Sequence, residues 1–298
     1  MVHAVRAARL AAILVLLCLP AAAGAQQERA AEWSRPLPPF RIIGNVHYVG
    51  TVELGAYLLA SPDGHVLIDG GFTETALVIL DSIRQLGFRP EDVEVLLTTQ
   101  AHMDHVGSMA ALKQATGARV MVMEGDAALM ERGGQGDFAF GDSFMFPPVM
   151  VDRTLKDGDT ASVGGTVLTA HHTPGHTRGC TTWTATVTEA GTPYRVVFAG
   201  SLSVNPPVRL VANPSYPGIA DDYRRSFRVL RSMDADVFLG AHAGFFGLHE
   251  KAERLRQGAS PNPFIDPGAL RRYVDHWEAQ FRDRVASEAK RGPASGSR

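Results

Sequence analysis

Short apolar runs alternate with segments of helical spacing in the first half of the chain. Runs rich in aliphatic and β-branched residues predict strands at residues 57–60, 65–69, 93–98 and 119–123. Between the second and third of these, Leu77, Leu80 and Ile83 recur at helical spacing, which predicts a helix capped by Thr73 and ended by Gly87. Another helix is predicted over residues 109–115. The first half therefore consists of strand and helix units.

The second half repeats this order of elements. Strands are predicted at residues 167–171, 181–187, 195–199 and 237–240, and a helix over residues 222–231. A last amphipathic helix is predicted to start at Asp266-Pro267. The apolar faces of these two helices are formed by Tyr223, Phe227 and Leu230 and by Leu270, Tyr273, Trp277 and Phe281. Two similar halves suggest an internal duplication. Since each sheet must bury one face, we predict an α/β fold in which two sheets pack together with helices outside, a four-layer αββα sandwich.

The N-terminus has the pattern of a secretory signal peptide. Arg6 and Arg9 precede an apolar run over residues 10–19, and small residues at 23–25 occupy the cleavage-site position. Cys18 follows a leucine rather than a small residue, which argues against a lipid anchor. We therefore expect a signal peptide at 1–25, a polar lead-in at 26–39, one domain at 40–290 and a disordered tail at 291–298. The expected location is the periplasm or the exterior, with no membrane attachment after cleavage.

The composition and charge of the chain limit the kinds of partner that it is expected to bind. The 298 residues are 45% apolar and 20% charged, which is ordinary for a globular protein. Loss of Arg6 and Arg9 with the signal peptide leaves 27 basic against 31 acidic residues, a net charge near −4. Nothing in this charge indicates nucleic acid or an anionic membrane as partner, and we expect a monomer. Cys180 is the one cysteine left after cleavage, so an intramolecular disulfide is excluded.

The segment most indicative of chemistry directly follows the apolar run at 93–97. It reads Gln100-Ala101-His102-Met103-Asp104-His105. Closely spaced His, Asp and His side chains in a turn can diverge to two neighbouring metal positions, and imidazole with carboxylate suits zinc better than calcium or magnesium. A single histidine would more often be structural, so the prediction rests on the cluster.

Two further histidines occupy small-residue turns after apolar strands. His176 lies in Pro174-Gly175-His176-Thr177, and His242 lies in Gly240-Ala241-His242-Ala243. Residues at several strand ends can converge on one cleft. Five other histidines gain no support from spacing and are interpreted as structural or surface residues: His47, His65, His171, His172 and His249.

These segments resemble the metallo-β-lactamase superfamily, whose H-x-H-x-D-H signature is represented here with Gln100 in the first position. The resemblance extends from Phe40 to about Phe281. It implies that Gln100, His102 and His176 surround one zinc ion, while Asp104, His105 and His242 surround another. Because an amide oxygen is a weaker zinc donor than an imidazole nitrogen, one or two zinc ions are expected, with the Asp104 site the tighter.

The choice among family members depends on Ser201. Lactonase and glyoxalase-type relatives place a metal-bridging aspartate there, and other β-lactamase subclasses a cysteine, so serine resembles class B, subclass 3. Ser201 and Ser203 are candidates for binding a substrate carboxylate, with Ser203 favoured, although serines after a strand are often turn formers. Asp69 resembles the family acid that orients a metal-bound histidine, and a turn aspartate is the alternative.

The resemblance implies zinc-dependent hydrolysis of the β-lactam amide bond by a metal-bound hydroxide, conferring antibiotic resistance. Asp104 would ligate the second zinc and help to orient the attacking water. A covalent acyl-enzyme is not required, and the chain contains no G-x-S-x-G nucleophile elbow. The loop at 133–148, with its four phenylalanines, is predicted either to flank the cleft or to form a small satellite core. Alternative functions are hydrolysis of a lactone, ester or thioester, and zinc binding without catalysis.

Overall fold

The computed structural model describes residue 28 and residues 30–291, which form two mixed β-sheets with helices around them. The seven-stranded sheet has its strands in chain order, antiparallel from β1 to β4 and parallel from β4 to β7. Its strands are β1 (Phe40–Ile43), β2 (Val46–Tyr48), β3 (Tyr57–Ser61), β4 (Gly64–Ile68), β5 (Val93–Leu97), β6 (Arg119–Met123) and β7 (Arg153–Leu155).

The five-stranded sheet has the order β12-β11-β10-β9-β8, in which only the β11–β12 pair is parallel. Its strands are β8 (Thr160–Val163), β9 (Thr166–His172), β10 (Thr181–Glu189), β11 (Thr192–Ala199) and β12 (Val237–Gly240). The helices are α1 (Ala76–Gln85), α2 (Met103–Val106), α3 (Met109–Thr116), α4 (Glu124–Glu131), α5 (Ile219–Arg231), α6 (Ala243–Phe246), α7 (Leu248–Arg256) and α8 (Ala269–Arg291).

The buried apolar side chains confirm the predicted αββα sandwich. One cluster joins the facing sides of the sheets, for example Leu59 of β3 with Trp183 of β10, and continues to Phe227 of α5. A second cluster lies between the seven-stranded sheet and the helices outside it, and includes Leu96 of β5 and Leu112 of α3. Each sheet thus buries one face against the other sheet and the opposite face under helices.

The predicted strands form, and most of their ends differ from the prediction by no more than two residues. The largest difference is in β11, which begins at Thr192 rather than at Arg195. β1, β2, β7 and β8 are three or four residues long and were not predicted, since such short runs carry little periodic signal. The helix predicted at 222–231 begins three residues earlier, at Ile219.

Three details of the predicted helices were wrong. Thr73 does not cap α1, because it begins a short 3₁₀ turn, and Thr75 precedes the helix instead, with its hydroxyl donating to the carbonyls of Gly70 and Phe72. Leu77 is not on the buried face: its exposed fraction is 72%, and Ile79 takes its place. The last helix begins at Ala269, not at Asp266-Pro267.

We expect Ile83→Ala to lower the free energy of unfolding by about 2–5 kcal/mol, because this side chain is fully buried against the sheet. Leu77→Ala on the same helix should change it by no more than about 0.5 kcal/mol, since the side chain lies in solvent. Urea unfolding of both variants measures the difference. Equal losses would contradict the observed orientation of α1.

The predicted signal peptide at 1–25 lies outside the described residues. Residues 30–33, within the predicted polar lead-in, are helical and pack on the domain: the Trp33 carbonyl accepts from the Thr51 hydroxyl. Arg291, the first residue of the predicted disordered tail, is the last residue of α8, and residues 292–298 lie outside the described part. Among the described residues, no helix is long and apolar enough to cross a membrane.

Candidate metal centre

Polar residues follow the carboxyl ends of several strands at one edge of the sandwich. The segment with Gln100, His102, Asp104 and His105 follows β5, His176 follows β9, and His242 follows β12. β5 is parallel to β4, and β12 is parallel to β11, so the turns after these strands lie at one end of their sheets. The fold therefore brings side chains from distant parts of the chain together.

The first group consists of two histidines. The distance between His102 Nδ1 and His176 Nε2 is 3.1 Å, and both rings are buried. His176 Nδ1 donates to the Ser203 carbonyl at 2.8 Å, which leaves Nε2 as the lone-pair nitrogen. Burial and the neighbouring His102 lower the pKa of His176 to about 3, so the ring is neutral and able to bind a metal.

The second group consists of Asp104, His105 and His242, whose candidate ligand atoms all lie within 4.8 Å of one another. The Nε2 atoms of His105 and His242 are 3.3 Å apart. Asp104 Oδ2 lies 3.4 Å from His105 Nε2 and 3.6 Å from His242 Nε2. Burial would raise the pKa of Asp104, but His105 and His242 outweigh it and hold the pKa well below its usual range. The carboxylate is therefore ionised at neutral pH.

The donor set fits zinc. Two Zn–N bonds of about 2.0–2.1 Å at a tetrahedral angle place their nitrogens about 3.3 Å apart, close to the spacing within both histidine pairs. Neutral imidazoles with one carboxylate are also the ligand types that zinc prefers over calcium or magnesium. The five side chains could thus hold a metal at two adjacent positions.

Each of the four histidines has an acceptor near its other ring nitrogen. Asp69 Oδ2 lies 3.8 Å from His105 Nδ1, Glu53 Oε1 lies 3.4 Å from His242 Nδ1, and Asp137 Oδ2 lies 3.7 Å from His102 Nε2. For His176 the acceptor is the Ser203 carbonyl, and this contact is a hydrogen bond of 2.8 Å, whereas the three carboxylate contacts are longer. Acceptors that hydrogen-bond to the outer nitrogen orient metal-bound imidazoles, and the Ser203 carbonyl is placed to do so for His176.

Asp69, which the sequence predicted to orient a metal-bound histidine, lies beside His105, but its hydrogen bonds are with Thr99. Its carboxylate accepts from the backbone N–H and the hydroxyl of Thr99, at 2.7 and 2.6 Å. Burial raises the pKa of Asp69 to about 6, while His105 and the Thr99 hydrogen bonds oppose the increase. Asp69 therefore ties the end of β4 to the start of the Gln100–His105 segment.

Asp126 was missed by the sequence analysis and connects the two turns that carry His102 and His176. This buried carboxylate accepts from the Ala101 N–H at 2.9 Å, and from the Thr177 hydroxyl and the Gly179 N–H at 2.7 Å each. Gly179 approaches so closely that an added Cβ would lie 2.3 Å from the Asp126 nitrogen. Asp126, Glu53 and Asp137 carry no sequence signal, because only the tertiary contacts distinguish them from other acids.

The remaining predicted site residues are Gln100, which follows β5, and Ser201 and Ser203, which follow β11. Gln100 is 1% exposed, and its Oε1 accepts from the Ser201 N–H at 2.7 Å. Ser201 is also 1% exposed, and its Oγ lies 2.7 Å from Ser203 Oγ. Ser203 is only partly buried and, unlike Ser201, lines the cavity beside the histidines.

Cys180 lies beneath this group, with its Sγ 4.0 Å from Gln100 Oε1. Burial raises the pKa of the Cys180 thiol, so it stays protonated, whereas metals bind the thiolate. We expect Cys180→Ser to leave the zinc content unchanged by elemental analysis. Cys180→Ala is the matched variant, because it adds no buried hydroxyl. If both folded variants lost one zinc equivalent, Cys180 would have to be a ligand.

Four of these side chains, those of His102, Asp104, His176 and His242, line a cavity of about 590 Å³ with a largely apolar wall. Its aromatic lining comprises Trp33, Phe72, Phe140, Phe144 and Phe146. Phe140 packs edge-on against His102 at 5.3 Å, and Trp33 against His242 at 5.4 Å between ring centroids. The loop at 133–148 flanks the cavity with Phe140 and Phe144, and it forms no separate satellite core, because Phe146 joins the large cluster under the seven-stranded sheet. The sequence analysis did not identify Trp33 as a residue of the cavity, although a tryptophan in an otherwise polar segment could have indicated it.

The sandwich fold and these strand-end histidines and acids define a candidate metal centre. The family model described as the metallo-β-lactamase superfamily matches residues 56–242, and the chain belongs to that superfamily. Among curated proteins, it is 30% identical over 163 residues to a probable metallo-hydrolase of Burkholderia pseudomallei (strain 1710b), covering 54% of this chain and 53% of that protein. The chain thus matches about half the length of that relative.

Another curated relative is a hydroxyacylglutathione hydrolase of Pseudomonas aeruginosa (strain LESB58), 37% identical over 84 residues, which are 28% of this chain and 25% of that protein. Solved structures match over far more of the chain. The FEZ-1 metallo-β-lactamase from Legionella gormanii is 44% identical with a TM-score of 0.83, covering 85% of this chain and 97% of that one. BJP-1, a subclass B3 metallo-β-lactamase of Bradyrhizobium japonicum, is 39% identical with a TM-score of 0.80, covering 86% and 96%.

Proposed function

We propose that this protein is a zinc-dependent hydrolase that opens the β-lactam ring, as a class B, subclass 3 metallo-β-lactamase. The observation that carries the proposal is the Asp104, His105 and His242 group beside the His102–His176 pair, at the base of an apolar-walled cavity. The likeness to FEZ-1 and BJP-1 over nearly their whole length supports the substrate class. A signal peptide at 1–25 would place this activity in the periplasm or outside the cell, where it would confer resistance to β-lactam antibiotics.

Five side chains would hold the metal: His102 and His176 at one position, and Asp104, His105 and His242 at the other. The family pattern adds Gln100 to the first position, and this assignment stays a prediction. One or two zinc ions per chain are expected, with the Asp104 position the tighter because it has three strong donors. Zinc bound there lowers the pKa of a water ligand from about 15.7 to about 7 and thus supplies the nucleophile at neutral pH.

The chain's own residues bind and orient the reactants. Asp104, held ionised by its histidine neighbours, contributes a fixed negative charge and a hydrogen-bond acceptor for the attacking water. Asp69, Glu53 and Asp137 lie near the outer ring nitrogens of His105, His242 and His102, where their charges would favour the ring orientation that binds a metal. We assign Ser203 to the substrate carboxylate, since its side chain reaches the cavity, and Ser201 to orienting the Ser203 hydroxyl.

Apolar side chains would pack against the substituents of the substrate. Trp33 and Phe72 line one part of the cavity, and Phe140 and Phe144 from the loop at 133–148 line another. Such a wall excludes water around the scissile amide and strengthens the electrostatic interactions at the metal centre. The substrate is a small molecule, and we expect neither nucleic acid nor membrane as a partner and a monomeric protein.

A second candidate function is hydrolysis of a thioester, lactone or ester by the same centre. The hydroxyacylglutathione hydrolases among the relatives favour it, although the matches cover a minor part of both chains. Against it, Ser201 stands where those relatives are expected to have a metal-bridging aspartate, and its side chain is buried against Ser203. A non-catalytic zinc-binding role is the third alternative.

The deciding experiment is turnover by the purified zinc-loaded protein of a chromogenic cephalosporin, an acyl-homoserine lactone and a hydroxyacylglutathione thioester. We expect the cephalosporin to be hydrolysed with the highest kcat/KM. Preference for the lactone or thioester would replace the β-lactam proposal with the second candidate. Full zinc content without turnover of any substrate would favour the binding role.

A further inference from the structure

One part of the cavity wall comes from a segment that has no regular structure of its own. Residues 200–218, all within the described part of the chain, connect β11 to α5 without forming a helix or a strand. Asn205, Pro206 and Pro207 of this segment line the cavity. Neither proline has a backbone N–H with which to form a turn or a ladder. The course of this part of the wall therefore depends on partners elsewhere in the chain.

Arg284 of α8 supplies hydrogen-bond donors to the segment. Its Nη2 donates to the Pro206 carbonyl at 2.7 Å and to the Val208 carbonyl. Its Nε donates at 3.2 Å to Oε1 of Glu288, which lies one turn further along the same helix. A guanidinium holds its N–H groups in a rigid plane, so these contacts fix the directions of two carbonyls relative to α8.

Glu288 supplies the acceptor for the next part of the segment. Its Oε2 accepts from the backbone N–H groups of Leu210 and Val211, at 2.7 and 2.9 Å. Burial would raise the pKa of Glu288, but these two hydrogen bonds and Arg284 outweigh it and lower the pKa, so the carboxylate is ionised at neutral pH. Hydrogen bonds to an ionised group are stronger than those between neutral groups. The Arg284–Glu288 pair thus holds residues 206–211 by their main chain.

The metal centre is held by other contacts. The Ser203 carbonyl, just before the wall residues, accepts from His176 Nδ1 and from the Tyr223 hydroxyl, at 2.8 Å each. These contacts involve neither Arg284 nor Glu288. A change at the Arg284–Glu288 pair should therefore move the wall that follows Ser203 and leave the proposed zinc ligands in place.

We propose that Arg284 and Glu288 are positioning residues that influence substrate specificity: by holding the main chain of residues 206–211, they set where the wall residues 205–207 stand and thus which substrate substituents fit. Both act through the segment, since the residues that line the cavity include neither of them. The inference rests on the proposed function, because it requires that substrates bind in this cavity, but it does not depend on which bond is cleaved.

The kinetic test compares two cephalosporins that carry the same chromophore and differ in the size of the acyl side chain. Arg284→Met removes both donors and should change the ratio of the two kcat/KM values about fivefold or more, chiefly through KM, because the wall contacts the substituents and not the scissile bond. The zinc content by elemental analysis should stay the same. A merely structural role would reduce the amount of active protein, which lowers the apparent kcat of both substrates equally and leaves KM and the ratio unchanged.

Arg282→Met is the matched control. Arg282 lies on the same helix and forms an ion pair with Glu278 at the same four-residue separation, but its side chain is exposed. The substitution therefore removes the same charge and a comparable helix ion pair without touching the segment. We expect it to change neither KM nor the ratio of the two kcat/KM values.

Hydrogen exchange of the Leu210 and Val211 amides, followed by NMR, tests the contact without a substrate. Glu288→Leu removes the acceptor and should speed the exchange of both amides about tenfold or more. Glu288→Gln keeps one acceptor oxygen and should exchange more slowly than Glu288→Leu. Arg282→Met should exchange like the native protein.

Unchanged exchange in folded Glu288→Leu would overturn the inference, and so would unchanged KM values and an unchanged ratio in folded Arg284→Met. If either variant fails to fold, Glu288→Gln decides, because it removes the charge that pairs with Arg284 and should still shift the ratio. Failure of the proposed function is distinguishable, since the native protein itself would then turn over neither cephalosporin. The comparison would in that case use two substrates of the class that the native protein does hydrolyse.

Discussion

Replacing Asp104 with asparagine should lower kcat/KM for a cephalosporin by about 10²-fold or more, with the fold intact. The substitution keeps the shape of the side chain but removes its negative charge. In the native chain, His105 and His242 keep the Asp104 carboxylate ionised at the candidate metal centre. Changes to residues that merely orient zinc ligands typically cost about 10–100-fold in metal affinity or activity, so loss of a ligand should cost at least as much. Steady-state kinetics measures the loss of activity, and elemental analysis of bound zinc measures the loss of metal affinity.

His242→Ala should have a comparable effect, since it removes another donor from the same group. Gln100→Ala should cost far less activity, because it leaves this group unaltered. Gln100→His should tighten zinc at the position of His102 and His176, since an imidazole is a stronger donor than an amide, while the Ser201 N–H loses its acceptor. If Gln100→Ala were as damaging as Asp104→Asn in folded protein, a two-zinc mechanism with Gln100 as an essential ligand would be the better explanation.

Dialysis against a strong chelator should reduce hydrolysis to background, and added zinc should restore it. The chain would lose its source of nucleophile, because no G-x-S-x-G nucleophile elbow is present to replace it. The metal-free protein should remain folded, since its two large apolar clusters do not depend on the metal. Circular dichroism provides the control, and full activity in folded, metal-free protein would refute the mechanism.

Zinc should also raise the stability of the folded chain by mass action. Binding to the native state alone adds about 2.7 kcal/mol when free zinc is about 100 times its Kd. Thermal unfolding with and without zinc therefore gives a readout of the centre that is independent of turnover. Asp104→Asn should reduce this zinc-dependent stabilisation more than Gln100→Leu does.

The sequence by itself determined the architecture and the members of the candidate centre. Strand periodicity and helix signals were sufficient for the αββα sandwich, because the apolar face of each element must be buried whatever the details of packing. The spacing of His102, Asp104 and His105 after β5 indicated metal chemistry, since these side chains are close together in any turn. His176 and His242 needed the further rule that residues at strand ends converge.

Only the tertiary structure decided how these residues are held. Leu77 fits the helical pattern of α1 yet faces solvent, because periodicity does not specify which nearby face meets the sheet. Glu53, Asp126 and Asp137 act on histidines or turns far away in the sequence, and isolated acids carry no spacing signal. The bond from the Ser201 N–H to Gln100 joins residues 101 positions apart. Hydrogen-bond partners are set by three-dimensional proximity, which the spacing of residues in a sequence motif does not specify.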